Sequence, residues 1–410
     1  MGKRVLLLIP SNSYKAADFL EAATKLNVEV VVASNKQQTL DAISPDSLLT
    51  LDFLSVQDAV EKVIAFAATH PLDAIFSTDE EGRFLASILS QSLGLPENHP
   101  DAIRATQDKS LLRTILSSTN VPTPKAACFS IDDPPSEIAL NVDYPCVLKP
   151  IHLSASRGVI RANHPQEFTI AFERIIKILN DPEVKRDGME KKILVESFIP
   201  GVEVAIEGVL QNGVFSMLAI FDKPDPLNGP FFEETIYVTP SRLSDKTQKA
   251  IHEMTEQACM SIGLKEGPIH AELRINDQGP FVIEVAARSI GGICSRALTF
   301  GMGRSLETLL LQQALKLPIA SMKRADSASG VMMIPIPNAG TFVDIRGVEA
   351  AKKIPGIFGV TIMIRRKQKV VPLPEGRRYL GFIFARGANP NDVEAALRMA
   401  HRELQFEIAS

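Results

Sequence analysis

Glu272, Glu284 and Arg288 stand close together between Pro268 and Gly292, and their types suit phosphoryl transfer. Ile269, Ala271, Leu273 and Ile275 alternate with His270, Glu272 and Arg274, the period of a half-buried strand. Asn276 to Gly279 is a turn signal, and beyond it Val282, Glu284, Ala286 and Arg288 share one face of a second strand. Were Glu272 to face Glu284, their Cβ atoms would lie ~5 Å apart. Two carboxylates that close repel unless something neutralises them, and a bound Mg2+ does so. A cation clamp beside an arginine supplies the charge stabilisation on which phosphoryl transfer depends. Register decides whether the pair forms. A symmetric four-residue turn sets Glu272 opposite Ile283, so the facing pair requires a five-residue connection or a bulge. The alternative is a surface hairpin with two solvated glutamates.

Further candidates precede the hairpin. Lys109 opens a helix after Gln107-Asp108, where an exposed helix lysine is the plainer reading. Lys149 closes the apolar run Tyr144-Pro-Cys-Val-Leu, which marks either a ligand contact or simply a strand end. Ser154, Ser156, Arg157 and Gly158 form a small-residue loop between two strands. Small side chains let backbone N–H groups approach phosphate oxygens, and an arginine adds charge; an ordinary hairpin loop reads the same way. Glu196-Ser197-Phe198-Ile199-Pro200-Gly201 breaks one strand before another begins, with Glu203 just beyond. Such a strand end can offer backbone groups to an adenine edge and a carboxylate to ribose hydroxyls, or it is a proline–glycine linker between sheets.

These residues need a scaffold, and the chain is long enough to build several domains: 410 residues, 45% hydrophobic and 22% charged. A net charge of −4 gives no long-range attraction to nucleic acid or an anionic membrane. Cys128, Cys146, Cys259 and Cys294 are scattered without metal spacing, as expected of reduced thiols in a cytoplasmic protein. The apolar run at residues 5–9 is too short for a secretory signal, and no run is long enough to span a bilayer. Strand and helix patterns alternate over residues 1–100, predicting a small parallel sheet with ligands at its strand ends. One such end carries Asp79 and Glu80, expected to cap the following helix. No G-x-G-x-x-G supports a dinucleotide. Helices are predicted over residues 109–119, 165–180 and 247–263, and a strand pair flanks Gln211-Asn212-Gly213. Residues 320–410 read as a third unit of strands with a helix over 389–404, N-capped by Asn389. The pair Glu233-Glu234 falls in a loop and reads as solvated, or as the contact of a substrate ammonium.

Taken as an ordered set over Gly94 to Lys316, these motifs resemble the ATP-grasp superfamily. The resemblance implies an α/β architecture: a Rossmann-like pre-ATP-grasp domain over 1–100, a two-lobed ATP-grasp domain over 101–318, and a C-terminal α+β domain over 319–410. Within the middle domain it implies a nucleotide-binding lobe of about 125–200 and a metal-binding lobe of about 201–318. It implies that Lys109 and Lys149 bind ATP phosphates, that residues 154–158 close over them, and that Glu196, Ser197, Phe198 and Ile199 form the adenine hinge with Glu203 on the ribose. Glu272 and Glu284 would hold Mg2+ or Mn2+, and Arg288 would meet the transferred phosphate. The usual E-x-N-x-R becomes Glu284-Val-Ala286-Ala-Arg288, so the asparagine that helps hold a second metal is replaced by alanine.

The segment Phe231-Phe-Glu-Glu-Thr-Ile-Tyr-Val-Thr-Pro240 and the Ala-Ala-Arg variant look most like L-amino-acid ligases and related carboxylate–amine ligases. The expected substrates are therefore a small carboxylate and an amine, both of amino-acid type, with Gly291, Gly292 and Glu233 at the substrate. A homodimer is compatible with the resemblance. Two other expectations stand beside it: a formate- or bicarbonate-activating enzyme of purine or biotin carboxylase type, and a non-catalytic ATP-binding regulator.

Overall fold

The computed structural model describes residues 2–36, 46–184 and 191–410. Its first part is a parallel sheet in the order Leu48–Thr50, Glu29–Ser34, Arg4–Leu8, Ala74–Ser77. The continuous apolar run of Val5, Leu6, Leu7 and Leu8 is fully buried because helices cover both faces. The second part is an antiparallel sheet ordered Ala126–Ser130, Lys192–Ser197, Cys146–Pro150, Ile160–Ala162. Helix Pro165–Leu179 lies on it, burying Phe168, Phe172 and Ile175 at the helical spacing seen in the sequence.

The third part is an eight-stranded sheet. Its order is Gly279–Ala286, Gly267–Asn276, Val202–Gln211, Val214–Asp222, Ile236–Thr239, Ala328–Ile334, Gly381–Gly387, Ile357–Ile362. Helix Asp245–Ile262 packs on the hairpin end of this sheet. Ser244 caps it by accepting from the Thr247 N–H at 3.2 Å, and Gly263 ends it at φ +85°. Helix Pro390–Glu403 packs on the other end, its Asn389 side chain accepting from Asn391 and Asp392 N–H groups. A small sheet of Lys369–Val370, Gly340–Arg346 and Gln405–Ala409 closes the C-terminal part. The expected three-part architecture is present: a Rossmann-like layer, a two-lobed centre and an α+β end. The strands Leu48–Thr50, Ile236–Thr239, Gly340–Arg346 and Gln405–Ala409 and the helices Pro100–Gln107 and Leu306–Ala314 are additions that the sequence patterns did not reveal. No helix among the described residues is long and apolar enough to cross a membrane.

Candidate active site

The hairpin pairs Glu272 directly with Glu284. The turn is tight, closing at Asn276 opposite Gly279, and Leu273 faces Val282. Left undisturbed, that ladder would place Ile283 opposite Glu272. A bulge shifts the register between Glu272 and Leu273, leaving Ile283 as the extra residue. Arg113 fixes the bulge by donating to the Ile283 carbonyl.

The pair lies on one wall of a cleft of about 700 Å³ between the antiparallel sheet and the eight-stranded sheet. Lys109, Lys149, Ser154, Ser156, Glu196, Ser197, Phe198, Ile199 and Glu203 all line it. Val147, Leu227, Phe232 and Ile283 give it an apolar slot beside the hinge. Lys149 Nζ meets Glu196 at 2.6 Å, and Arg113 meets the other Glu196 oxygen at 2.7 Å. Burial pushes the Glu196 carboxyl up, but the two cations outweigh it and hold it below the ordinary value. Lys109 Nζ donates to the Leu153 carbonyl at 2.7 Å, steadying the loop, and lies 4.0 Å from Glu284. Arg274 ties the hinge to the opposite wall, donating to the Ile199 carbonyl at 2.9 Å and the Leu227 carbonyl at 2.6 Å. Its guanidinium and that of Arg161 stack on Phe198, 4.9 and 4.0 Å from the ring centre.

The other candidates sit elsewhere. Arg157 pairs with Asp181 at 3.0 Å and, with Gly158, does not line the cleft. Gly158 has φ +74°, and its N–H donates to the Pro374 carbonyl of the C-terminal part. Arg288 donates to Glu80 at 2.8 Å and to the Ser289 carbonyl at 3.0 Å. Gly292 has φ +58° and packs so near the Phe382 ring that a Cβ would lie 2.8 Å from it, whereas a Cβ on Gly291 would meet nothing. Glu233 is half-buried, and burial pushes its carboxyl up.

Two loop readings need correction. Asp79 makes no capping bond: its Oδ2 accepts from Ser13 and Thr78, at 2.5 and 2.8 Å, while Glu80 is the partner of Arg288. Glu234 is not solvated. It lies in the cleft wall against Lys223, which also meets Glu203 at 2.8 Å and Glu272 at 3.1 Å. Three carboxylates thus surround one buried ammonium. Burial opposes the Lys223 charge, but the three glutamates raise its pKa well above the usual value. Burial and the Glu272 charge push Glu234 up to about 7. Burial also opposes the Glu272 charge, but Lys223 and His270 hold its carboxyl well down.

His270 extends this cluster. Its Nδ1 lies 2.5 Å from Glu207, and its Nε2 lies 3.5 Å from Glu272. The other Glu207 oxygen accepts from the Ile290 N–H at 3.0 Å. Burial lowers the His270 pKa, yet Glu207 and Glu272 lift it to about 9. Lys15, buried in the first part, donates to the Ser289 hydroxyl at 3.1 Å. The segment after Arg288 is therefore held from both sides. Among the residues missed in the sequence, Lys223 had a visible signal. It follows the apolar run Leu218 to Phe221 much as Lys149 follows its own.

The donors fit a hard divalent cation. Glu284 faces Glu272, and Glu203 and Glu234 can bring oxygens to within 4.8 Å of Glu272, although Lys223 is held by Glu203, Glu234 and Glu272 alike. Carboxylate oxygens are what Mg2+ or Mn2+ takes, with phosphate oxygens and water completing the shell. Ala286 supplies no donor.

Comparison with known proteins agrees with this geometry. The model of the ATP-grasp domain matches residues 142–297, that of the ATP-grasp N-terminal domain residues 20–97, and that of the L-amino acid ligase C-terminal domain 2 residues 332–409. Alanine–anticapsin ligase of Bacillus subtilis is 26% identical over 57% of this chain and 52% of its own, so the match spans about half of that relative. The crystal structure of L-amino acid ligase from Bacillus licheniformis superposes with a TM-score of 0.82 at 24% identity, covering 100% of this chain and 99% of that one. N5-carboxyaminoimidazole synthase from Aspergillus clavatus, solved with ADP and 5-aminoimidazole ribonucleotide, gives 0.71 at 18% identity over 98% of both chains.

Proposed function

Because the chain belongs to the ATP-grasp superfamily, we propose that it is an ATP-dependent carboxylate–amine ligase. It forms an amide, peptide-like bond through an acyl phosphate and releases ADP and phosphate. The observation that carries this reading is the facing pair Glu272 and Glu284 in the same cleft as Lys109, Lys149 and the residue 154–156 loop. The match of residues 332–409 to an L-amino acid ligase domain, and the ligase that shares 26% identity, support amino-acid substrates.

In this reading the apolar slot between Phe198, Leu227 and Phe232 takes the adenine, and Glu203 takes the ribose hydroxyls. Lys109 and Lys149 neutralise phosphate oxygens. Glu272 and Glu284 would hold Mg2+, whose charge would offset that on the terminal phosphate. The substrate carboxylate attacks the γ-phosphorus, whose bond to the ADP oxygen breaks, giving the acyl phosphate. Arg288 leaves Glu80 to meet charge on the transferring group. Backbone N–H groups at Gly291 and Gly292 receive the acyl oxygen as the amine attacks its carbon and expels phosphate. Residues 154–158 exclude water meanwhile. The active chain is cytoplasmic in this reading, where ATP and free amino acids are supplied.

An ADP-release screen over pairs of amino acids, with mass identification of products, tests the proposal. Oxygen label in the substrate carboxylate is expected to appear in phosphate. Glu284→Ala and Arg288→Ala each lower turnover by on the order of 10³ with native circular dichroism; full activity in both refutes the site assignment. The fold shared with N5-carboxyaminoimidazole synthase supports a second reading, in which activity appears with bicarbonate or formate alone. Ala286 supports a third, a nucleotide-binding regulator, for which ATP binds but no pair of substrates releases ADP.

A further inference from the structure

A second cleft, of about 970 Å³, opens between the parallel sheet and the far end of the strand that carries Glu272. One wall is the strand Ala74–Ser77. It pairs only with Arg4–Leu8 and is the edge of its sheet, so it turns a row of backbone N–H and C=O groups toward the cleft. The opposite wall runs through Glu266, Gly267 and Pro268, two residues short of His270.

The charged groups in these walls come in two kinds. Arg83 is almost wholly buried, with its guanidinium held by Glu97 at 3.2 and 2.9 Å. This pair is neutral as a unit, and its buried guanidinium is closed off from the cleft. Glu266 and Lys316 are not satisfied in this way. Glu266 accepts from the Asn212 N–H at 3.0 Å with one oxygen, and burial raises its pKa. Asn98 fixes its backbone, accepting from the Glu266 N–H at 2.9 Å and donating to the Glu266 carbonyl at 2.7 Å. Lys316 follows the helix at φ +54°, and its charge, without a close ion pair among the described residues, draws the Glu266 pKa down against that burial.

The cleft therefore offers one ammonium, one under-used carboxylate and a strand edge. A polyphosphate does not match walls whose charges balance. A zwitterion does match: its carboxylate meets Lys316, its ammonium meets Glu266, and any amide it carries meets the strand edge. We propose that this cleft is a second ligand site for a free amino acid or a short peptide, separate from the nucleotide cleft. Two strands lead from it toward the catalytic groups, one ending beside Glu80 and one carrying His270 and Glu272.

Calorimetric titration of the full chain, without nucleotide or Mg2+, with individual L-amino acids and then with dipeptides tests this. At least one probe is expected to bind. Lys316→Gln and Glu266→Gln should each weaken it about tenfold or more, while Arg288→Ala leaves the affinity unchanged. Tighter binding by the dipeptides points to a peptide, and tighter binding by the single amino acids to a free amino acid. In the wild-type chain the bound probe should slow hydrogen exchange at residues 74–77 and 267–270. Absence of binding by every probe overturns the proposal. So does affinity lost in Arg288→Ala but kept in Lys316→Gln, or protection confined to residues 289–292.

Discussion

A carboxylate shared between two buried cations makes stability depend on acid. Glu196 is charged in the folded protein because Arg113 and Lys149 outweigh its burial, and its folded pKa lies below the ordinary value of 4.5. Its stabilising contribution is therefore fully present above about pH 5 and is lost as pH falls through the folded pKa. Urea denaturation of the wild type and Glu196→Gln between pH 3 and 7 should show the difference shrinking as the solution becomes more acid; a constant difference would contradict the pairing. Lys223 poses the reverse case. Lys223→Met leaves Glu203, Glu234 and Glu272 facing one another without their cation, a loss of about 3–5 kcal/mol. Added MgCl2 should raise the melting temperature of that variant more than that of the wild type. An equal rise in both would argue against a cation site at these oxygens. The acidic pair on the hairpin was legible in the sequence because alternation reports which face a strand residue takes. The cluster around Lys223 was not, since Glu234 sits in a segment without period, where polarity alone reads as exposure.

Strands set the faces, and irregularities in the strands set the site. The alternation around Glu272 is readable, but the extra residue Ile283 leaves no mark in composition, so the bulge appeared only as a requirement. The break at Pro200-Gly201 was visible, while its tightness was not. Gly201 has φ +120°, and a Cβ there would lie 2.1 Å from the Ile275 carbonyl oxygen. Gly201→Ala should destabilise by more than about 2 kcal/mol, because the strand cannot retreat from its neighbour without breaking the ladder. A denaturation midpoint unchanged within error would rule out that constraint. Asp79 and Glu80 followed the acidic pattern of a helix start, but the 3₁₀ turn over Glu80–Gly82 is too short to reward capping, and Arg288 competes successfully for Glu80. Short strands such as Ile236–Thr239 escaped notice because few residues carry the pattern, and their partners lie far along the chain.

At the scale of the molecule, the C-terminal part touches the four-stranded antiparallel sheet's layer as well as continuing the eight-stranded sheet. Arg174 meets Glu375 at 2.5 and 2.9 Å, and Gly158 donates to Pro374 in the same segment. Half-exposed ion pairs of this kind contribute about 0.2–1 kcal/mol. Glu375→Ala should accordingly raise the KM for ATP by no more than about fivefold, with kcat little changed, and should increase phosphate release in the absence of amine. Steady-state kinetics with and without amine would show whether this strap steadies the loop over the phosphates. Neither partner was singled out in the sequence, because lone charges some two hundred residues apart give no local pattern.

The eight-stranded sheet runs without interruption from the catalytic hairpin to Ile357–Ile362. A chain cut after residue 318 would lose Ala328–Ile334 and leave Ile236–Thr239 with a raw flank, its Val238 and Tyr237 stripped of cover. Such a fragment keeps Lys109, Lys149 and residues 154–158 and still is expected to clump in solution rather than work, since an open, greasy strand margin recruits its own copies.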